Sequence, residues 1–178
     1  YEGYSGKLIC AVLRPGKRPT GEEIVAIVKR VLKRIRTRWP KVRIVIRGDS
    51  HFSGPEMFDL CRSMRCVHFV FGLSSNRALA PMVEEAVKRV EAAYKQIEKK
   101  LKIFVEFLYQ AKSWSCPQRV ICKIEVNEQG RNVRFIVTDM NGKGPQRMYD
   151  ESYCGRGRME NFIKDHKNAL QSDRTSCH

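Results

Sequence analysis

Apolar positions along the chain keep two rhythms, and the secondary structure is expected to change where one gives way to the other. Ile24, Ile27, Val28, Val31, Leu32 and Ile35 recur at steps of three and four, the spacing of one helical face, and predict a helix to about residue 38. Thr20 and Glu23 have the S/T-x-x-E spacing of a capping box that would open it. Residues 42–46 alternate as a strand does and stop at Gly48, Asp49 and Ser50. Upstream, GKLICAVLR at 6–14 is a short apolar run with β-branched members and predicts a buried strand. Ser53 and Glu56, with Pro55 between them, repeat the capping spacing and open a helix to about residue 64; the run 67–73 is again an apolar strand. The strand at 6–14, the first helix and the strand at 42–46 imply a crossover unit with a parallel pair, and the run 67–73 completes a β-α-β-α-β series.

Beyond residue 75 the character changes. Residues 81–100 read as a long amphipathic helix with Val83, Val87, Val90, Tyr94 and Ile97 inward. Strand-like runs at 103–109, 119–126 and 133–138 follow, the last two separated by turn residues at 127–131. Short turns between consecutive strands imply an antiparallel unit, distinct from the crossover core and inserted ahead of a final helix. That helix, over 153–170, carries two stripes. Met159, Phe162, Ile163, His166 and Leu170 form an apolar one, expected to be buried. Tyr153, Arg156, Glu160 and Lys167 fall within an arc of about 60° beside it. Glu160 would stand at the edge of the buried face, half desolvated, and a carboxylate there needs a counter-charge or a metal. Two readings are open: an i,i+4 ion pair with Arg156 worth ~0.2–0.5 kcal/mol, or a divalent ion.

Charge narrows the partner. The chain has 34 Lys+Arg against 19 Asp+Glu, net +15, which favours a polyanion, either nucleic acid or an anionic membrane surface. The membrane is the weaker option, since apolar runs such as 8–13 fall far short of the ~20 residues of a spanning helix, and no secretory pattern opens the chain. Lys29, Arg30, Lys33, Arg34, Arg36 and Arg38 project from the first long helix as either a solvated face or a DNA-tracking one. Seven scattered cysteines without a CxxC pair favour reduced thiols, and Cys66 with His68, or Cys177 with His178, is too isolated to argue for metal. A first residue that is Tyr rather than Met suggests a piece of a longer chain.

Candidate chemistry centres on two acids. Asp49 lies at the carboxyl end of a predicted strand, where α/β sheets place ligands, although a turn aspartate bonding its own backbone fits the position equally. Arg47-Gly48-Asp49 also spells an adhesion tripeptide, which a strand terminus disfavours. Were Asp49 and Glu160 brought together they would repel, unless a divalent ion sat between them. A metal pair held by acids cuts and joins phosphodiesters by stabilising attacking and leaving oxygens alike. With the basic balance, this points to metal-dependent phosphoryl transfer on nucleic acid.

The runs GKLICAVLRPG at 6–16, RGDSHFSGPE at 47–56, KSWSCPQRV at 112–120 and YCGRGRMEN at 153–161, closing towards DRTSCH at 173–178, resemble bacterial insertion-sequence transposases of the DDE type. Tyr153, Arg156, Glu160 and Lys167 match the Tyr-x2-Arg-x3-Glu-x6-Lys signature of one cut-and-paste group. The resemblance implies an α/β fold: a ribonuclease H-like core, N-terminally incomplete, interrupted by a β-rich insertion. The core would span 1–75, the helix and antiparallel insertion 76–150, and the helix carrying the catalytic Glu 151–178. Asp49 and Glu160 would be the second and third catalytic acids and the metal ligands, for Mg2+ in a two-ion arrangement with Mn2+ able to substitute. Tyr153, Arg156 and Lys167 would bind the DNA of the transposon end, and Trp114 would hold distorted or flipped bases unless it is a core or hinge residue. Double-stranded DNA, as transposon ends and target, is the implied partner, with a homodimer at synapsis, no membrane, and a bacterial cytoplasmic, nucleoid-associated location. The family's first acid belongs on the first core strand, and before Gly6 only Glu2 is acidic, so the 178-residue stretch is expected to be inactive by itself. A ribonuclease H-like nuclease that only hydrolyses, and a non-catalytic DNA-binding remnant of a transposase, are the alternatives.

Overall fold

The capping box at Thr20 forms as its spacing requires. In the structure, a computed structural model describing residues 1–12 and 16–171 without the side chains of Arg156, Arg158 and Leu170, the Glu23 N–H donates to the Thr20 hydroxyl. The Thr20 N–H donates in return to the Glu23 carboxylate, at 2.8 Å. This pair starts α1 (Gly21–Arg38), which buries Ile24 and Leu32. Then come β1 (Ile44–Gly48), α2 (Pro55–Ser63) and β2 (Val67–Leu73), with β1 and β2 parallel from Ile44↔Val67 to Gly48↔Phe71. The capping box at Ser53 does not form: Gly54 is the N-cap of α2, and the Ser53 hydroxyl donates instead to the Ser50 carbonyl, closing the turn before it.

The strand expected at 6–14 is not formed over 6–12, where Leu8, Ile9 and Val12 are about half exposed. Residues 13 and 14 lie outside the described part. β1 is an edge strand, with β2 its neighbour on one side, and an apolar run that pairs with nothing has no sheet to be buried in.

Asn76 accepts the N–H groups of Ala78 and Leu79, both at 2.9 Å, and so begins α3 (Leu79–Ile97) ahead of the apolar stripe that predicted it. β3 (Leu101–Tyr109), β4 (Gln118–Asn127) and β5 (Gly130–Thr138) follow as antiparallel neighbours. Gly130 takes φ +103 at the β4–β5 turn, a conformation that side chains resist. These strands are not a unit apart from the crossover strands. All five form one sheet in the order β1-β2-β5-β4-β3, with β2 and β5 antiparallel. The reason lies in β2, whose Val67, Phe69, Val70 and Phe71 are almost wholly buried, the mark of a strand covered on both faces.

Strand alternation divides the apolar residues between two layers. Phe69, Phe71, Val120, Cys122, Phe135 and Val137 share one cluster with Leu32 of α1, Phe58 of α2 and Val83 of α3. Val70, Ile121 and Ile136 face the other way, under Met140, Met148 and Tyr149. The second layer is made by α4 (Pro145–Arg147) and the wide helical turns of Met148–Tyr153, which a tighter turn, Cys154–Arg156, joins to α5 (Gly157–Leu170). One continuous helix from Tyr153 is therefore not formed. Gly155 and Gly157, weak helix formers, stand where the winding changes. α5 is also less buried than its apolar stripe suggested: Ile163 is 45% exposed, Glu160 is exposed, and Phe162 stacks on Tyr1 at 5.6 Å. Among the described residues no helix is long and apolar enough to cross a membrane.

Candidate active-site cleft

The alternation of β1 decides which way its carboxyl end faces. Ile44 and Ile46 pack into the helix-side core, so Val45 and Arg47 belong to the opposite face, and the extended backbone of Asp49 (φ −80, ψ −168) carries that parity one step further. Asp49 caps the turn after β1: its Oδ1 accepts the His51 N–H at 2.9 Å and lies 3.2 Å from His51 Nδ1. The turn-aspartate role is thus met, by one carboxylate oxygen, in a side chain that stays 48% exposed. Asp49 also lines a cleft of about 270 Å³ together with Ser50, Gly72, Arg134, Tyr149 and Tyr153.

Tyr153 reaches this cleft across the sheet. A Cβ placed on Gly72 would lie 2.7 Å from the Tyr153 hydroxyl, 3.2 Å from the Ser50 nitrogen and 3.4 Å from the Asp49 carbonyl carbon. Glycine in a strand interior marks such a close approach. Tyr149 stands 5.5 Å from Tyr153, ring to ring, and burial pushes its phenol well above the usual range. Around these rings the segment is tied down by Lys102–Asp150 at 3.0 Å, Lys143–Glu151 at 3.1 Å and Arg147–Glu151 at 2.9 Å. Hydrogen bonds from Arg147, then from Lys143, hold the Glu151 carboxyl below its usual value.

Arg47, two residues ahead of Asp49, joins β1 to the same segment. Its Nη1 donates to the Ser152 carbonyl at 3.4 Å, and a Cβ on Gly155 would sit 2.6 Å from that nitrogen. Sequence reasoning set Arg47 aside and did not single out Gly72. The signals available were strand parity for the first and a glycine inside an apolar strand for the second. Glu2 serves its own turn, accepting from the Tyr4 and Ser5 N–H groups and the Ser5 hydroxyl, which hold its carboxyl down at about 2.

The remaining candidates fare differently. Glu160 lies in the first turn of α5 and Lys167 in its last, both exposed, and the Arg156 side chain is outside the described part. Trp114 is a core residue. It is 7% exposed and wedged edge-on between Phe58, at 5.0 Å, and Tyr109, at 5.3 Å, where it could meet a base only by leaving the core. Burial pushes the thiols of Cys61 and Cys122 up to about 12. His68 bonds Asp139 at 3.0 Å rather than joining Cys66. Among the described residues no group of three or more His, Cys, Asp or Glu could hold a metal ion.

The family model described as "Transposase DDE domain group 1" matches residues 1–178. No curated protein and no solved structure matches the chain.

Proposed function

The chain belongs to the group 1 family of transposase DDE domains, and from that membership we propose that it serves DNA transposition, cutting at the ends of its element and joining the freed 3′-hydroxyl to target DNA. The family implies phosphoryl transfer on DNA, and DNA as partner. In this reading Asp49 and Glu160 are two of the acids, Mg2+ is the divalent ion they serve, and Tyr153, Arg156 and Lys167 bind the transposon end as its Tyr-Arg-Glu-Lys signature. The observation that carries it is the delivery of Tyr153 to the carboxyl end of β1, where the Tyr153 hydroxyl crowds Gly72 beside Asp49.

The chain's own residues then have separate tasks. The Tyr153 hydroxyl offers a hydrogen-bond donor to a phosphate oxygen lying in the cleft. Arg47 keeps the segment bearing Tyr153 against β1 through the Ser152 carbonyl. Asp49 has its side chain fixed by the His51 N–H, so that the carboxylate is preorganised. In this reading the 178-residue chain by itself is expected not to cleave DNA when Mg2+ is added.

The test uses the active transposase that contains this sequence and DNA bearing the element's terminal repeats. Asp49→Asn and Glu160→Gln should each lower cleavage by at least ~100-fold, while gel-shift affinity for the same DNA changes little. Cleavage undiminished in either variant would remove that acid from the site. Products lacking strand joining in the parent would favour a nuclease that only hydrolyses.

A further inference from the structure

The other end of β1 carries a surface that the transposition reading leaves unused. From Lys29 to Gly48 nine of twenty residues are Lys or Arg, and none is acidic. Lys33, Arg34, Arg38, Lys41 and Arg43 are exposed, and among the described residues none of them joins an ion pair. In their midst is Trp39, 60% exposed at the end of α1.

The backbone that bears this tryptophan is tied in place. Its N–H closes α1 on the Ile35 carbonyl at 2.8 Å, and its own carbonyl accepts the Val42 N–H. The Arg36 guanidinium donates to the carbonyls of Trp39 and Val42 from Nη1 and, from Nη2, to that of Arg65 at 2.6 Å. Arg36 thereby locks the turn 39–42 to the turn ahead of β2 and brings exposed Arg65 to the same place. A large aromatic face in water, carried on a tied turn and accompanied by cations that join no ion pair among the described residues, has the two parts of a single-strand platform: a ring on which a base stacks and charges that track the backbone.

We propose that the end of α1 and the turn after it bind single-stranded DNA, with one unpaired base stacked on Trp39 and the flanking phosphates on Arg38, Lys41, Arg43 and Arg65. β1 is five residues long, so at ~3.3 Å per residue its two ends are about 13 Å apart. The platform therefore lies beyond reach of the nucleotide at Asp49 and is suited to a different stretch of strand. It stands without the two acids.

The two tryptophans make the test direct, because Trp114 is shielded in the core and Trp39 is not. Titrating the 178-residue chain with a 12-nucleotide oligothymidylate should quench Trp39 emission, whereas a hairpin duplex of equal charge should not. Trp39→Ala should weaken oligothymidylate binding about 5- to 150-fold and leave hairpin binding unchanged. Replacing Arg38, Lys41 and Arg43 together by Ala should reduce the slope of log K against log salt by about 2. The side chains changed are exposed, and circular dichroism checks that each variant is folded. Equal quenching by hairpin and oligothymidylate, no effect of Trp39→Ala on single-strand affinity, or quenching that follows protein concentration rather than DNA would each overturn the proposal. The last outcome would make Trp39 a contact between copies of the chain.

Discussion

Gly72 shows how one missing side chain can set up a cleft. Its place in β2 would suit any apolar residue, yet a methyl group there meets the Tyr153 hydroxyl and, behind it, the backbone of Ser50 and Asp49. A tyrosine tip can swing away; a backbone nitrogen at 3.2 Å cannot without moving the turn that holds Asp49. Gly72→Ala is accordingly expected to destabilise the fold by about 1–3 kcal/mol, read as a fall in Tm of ~2–4 °C per kcal/mol. In the function proposed above it should also depress cleavage. A variant with unchanged Tm and activity would show that the cleft has slack. The two tryptophans make a related point. Trp114 and Trp39 both sit among polar neighbours in the sequence, but one is 7% exposed and the other 60%, because Phe58 and Tyr109 close over the first and nothing described packs over the second.

At the scale of elements, the helical turns of Met148–Tyr153 hold the second layer to the sheet through apolar rings inside and ion pairs outside. Glu151 makes two of those pairs and its carboxyl is depressed, so its contribution is fully present above the usual value of 4.5 and is lost as pH falls through the lower folded value. Near-ultraviolet circular dichroism from Tyr149 and Tyr153 should therefore change below about pH 4.5 in the parent, and Glu151→Gln should remove that part of the transition. An identical acid profile in the variant would assign the change to other carboxylates. Much of the element plan was legible beforehand. The Thr20 cap and the antiparallel run β3–β5 follow from local spacing, which acts within a few residues; the parallel pair expected between 6–14 and 42–46 is instead β1 with β2, since 6–12 forms no strand. Long-range contact was not legible: whether residues 6–12 found a neighbour, how Tyr153 is wound and how deeply α5 sinks depend on what lies opposite. The place of Asp49 at the end of β1 was legible because strand ends are local signals. Arg47, bonded to a carbonyl of Ser152, has its reason on the far side of the sequence.

For the molecule as a whole the decisive feature is the junction of β2 with β5. The sheet strands before α3 pair with those after it along the four pairs from Val70↔Thr138 to Leu73↔Phe135. A chain ending at Asn127 should then leave Phe71 and Val70 uncovered and be insoluble or bind a hydrophobic dye, while one ending at Tyr153 should be soluble and cooperative on heating. A soluble, dye-silent shorter chain would mean that the first part folds by itself. During synthesis the same junction imposes a delay. Leu73 leaves the ribosome 57 residues before Gly130, since 130 minus 73 is 57, and at ~5–20 residues per second that is roughly 3 to 11 seconds. For that interval the most greasy strand of the protein has a neighbour on one side only. Slower synthesis between residues 73 and 130 is then expected to lower the soluble yield while leaving the finished fold as it is.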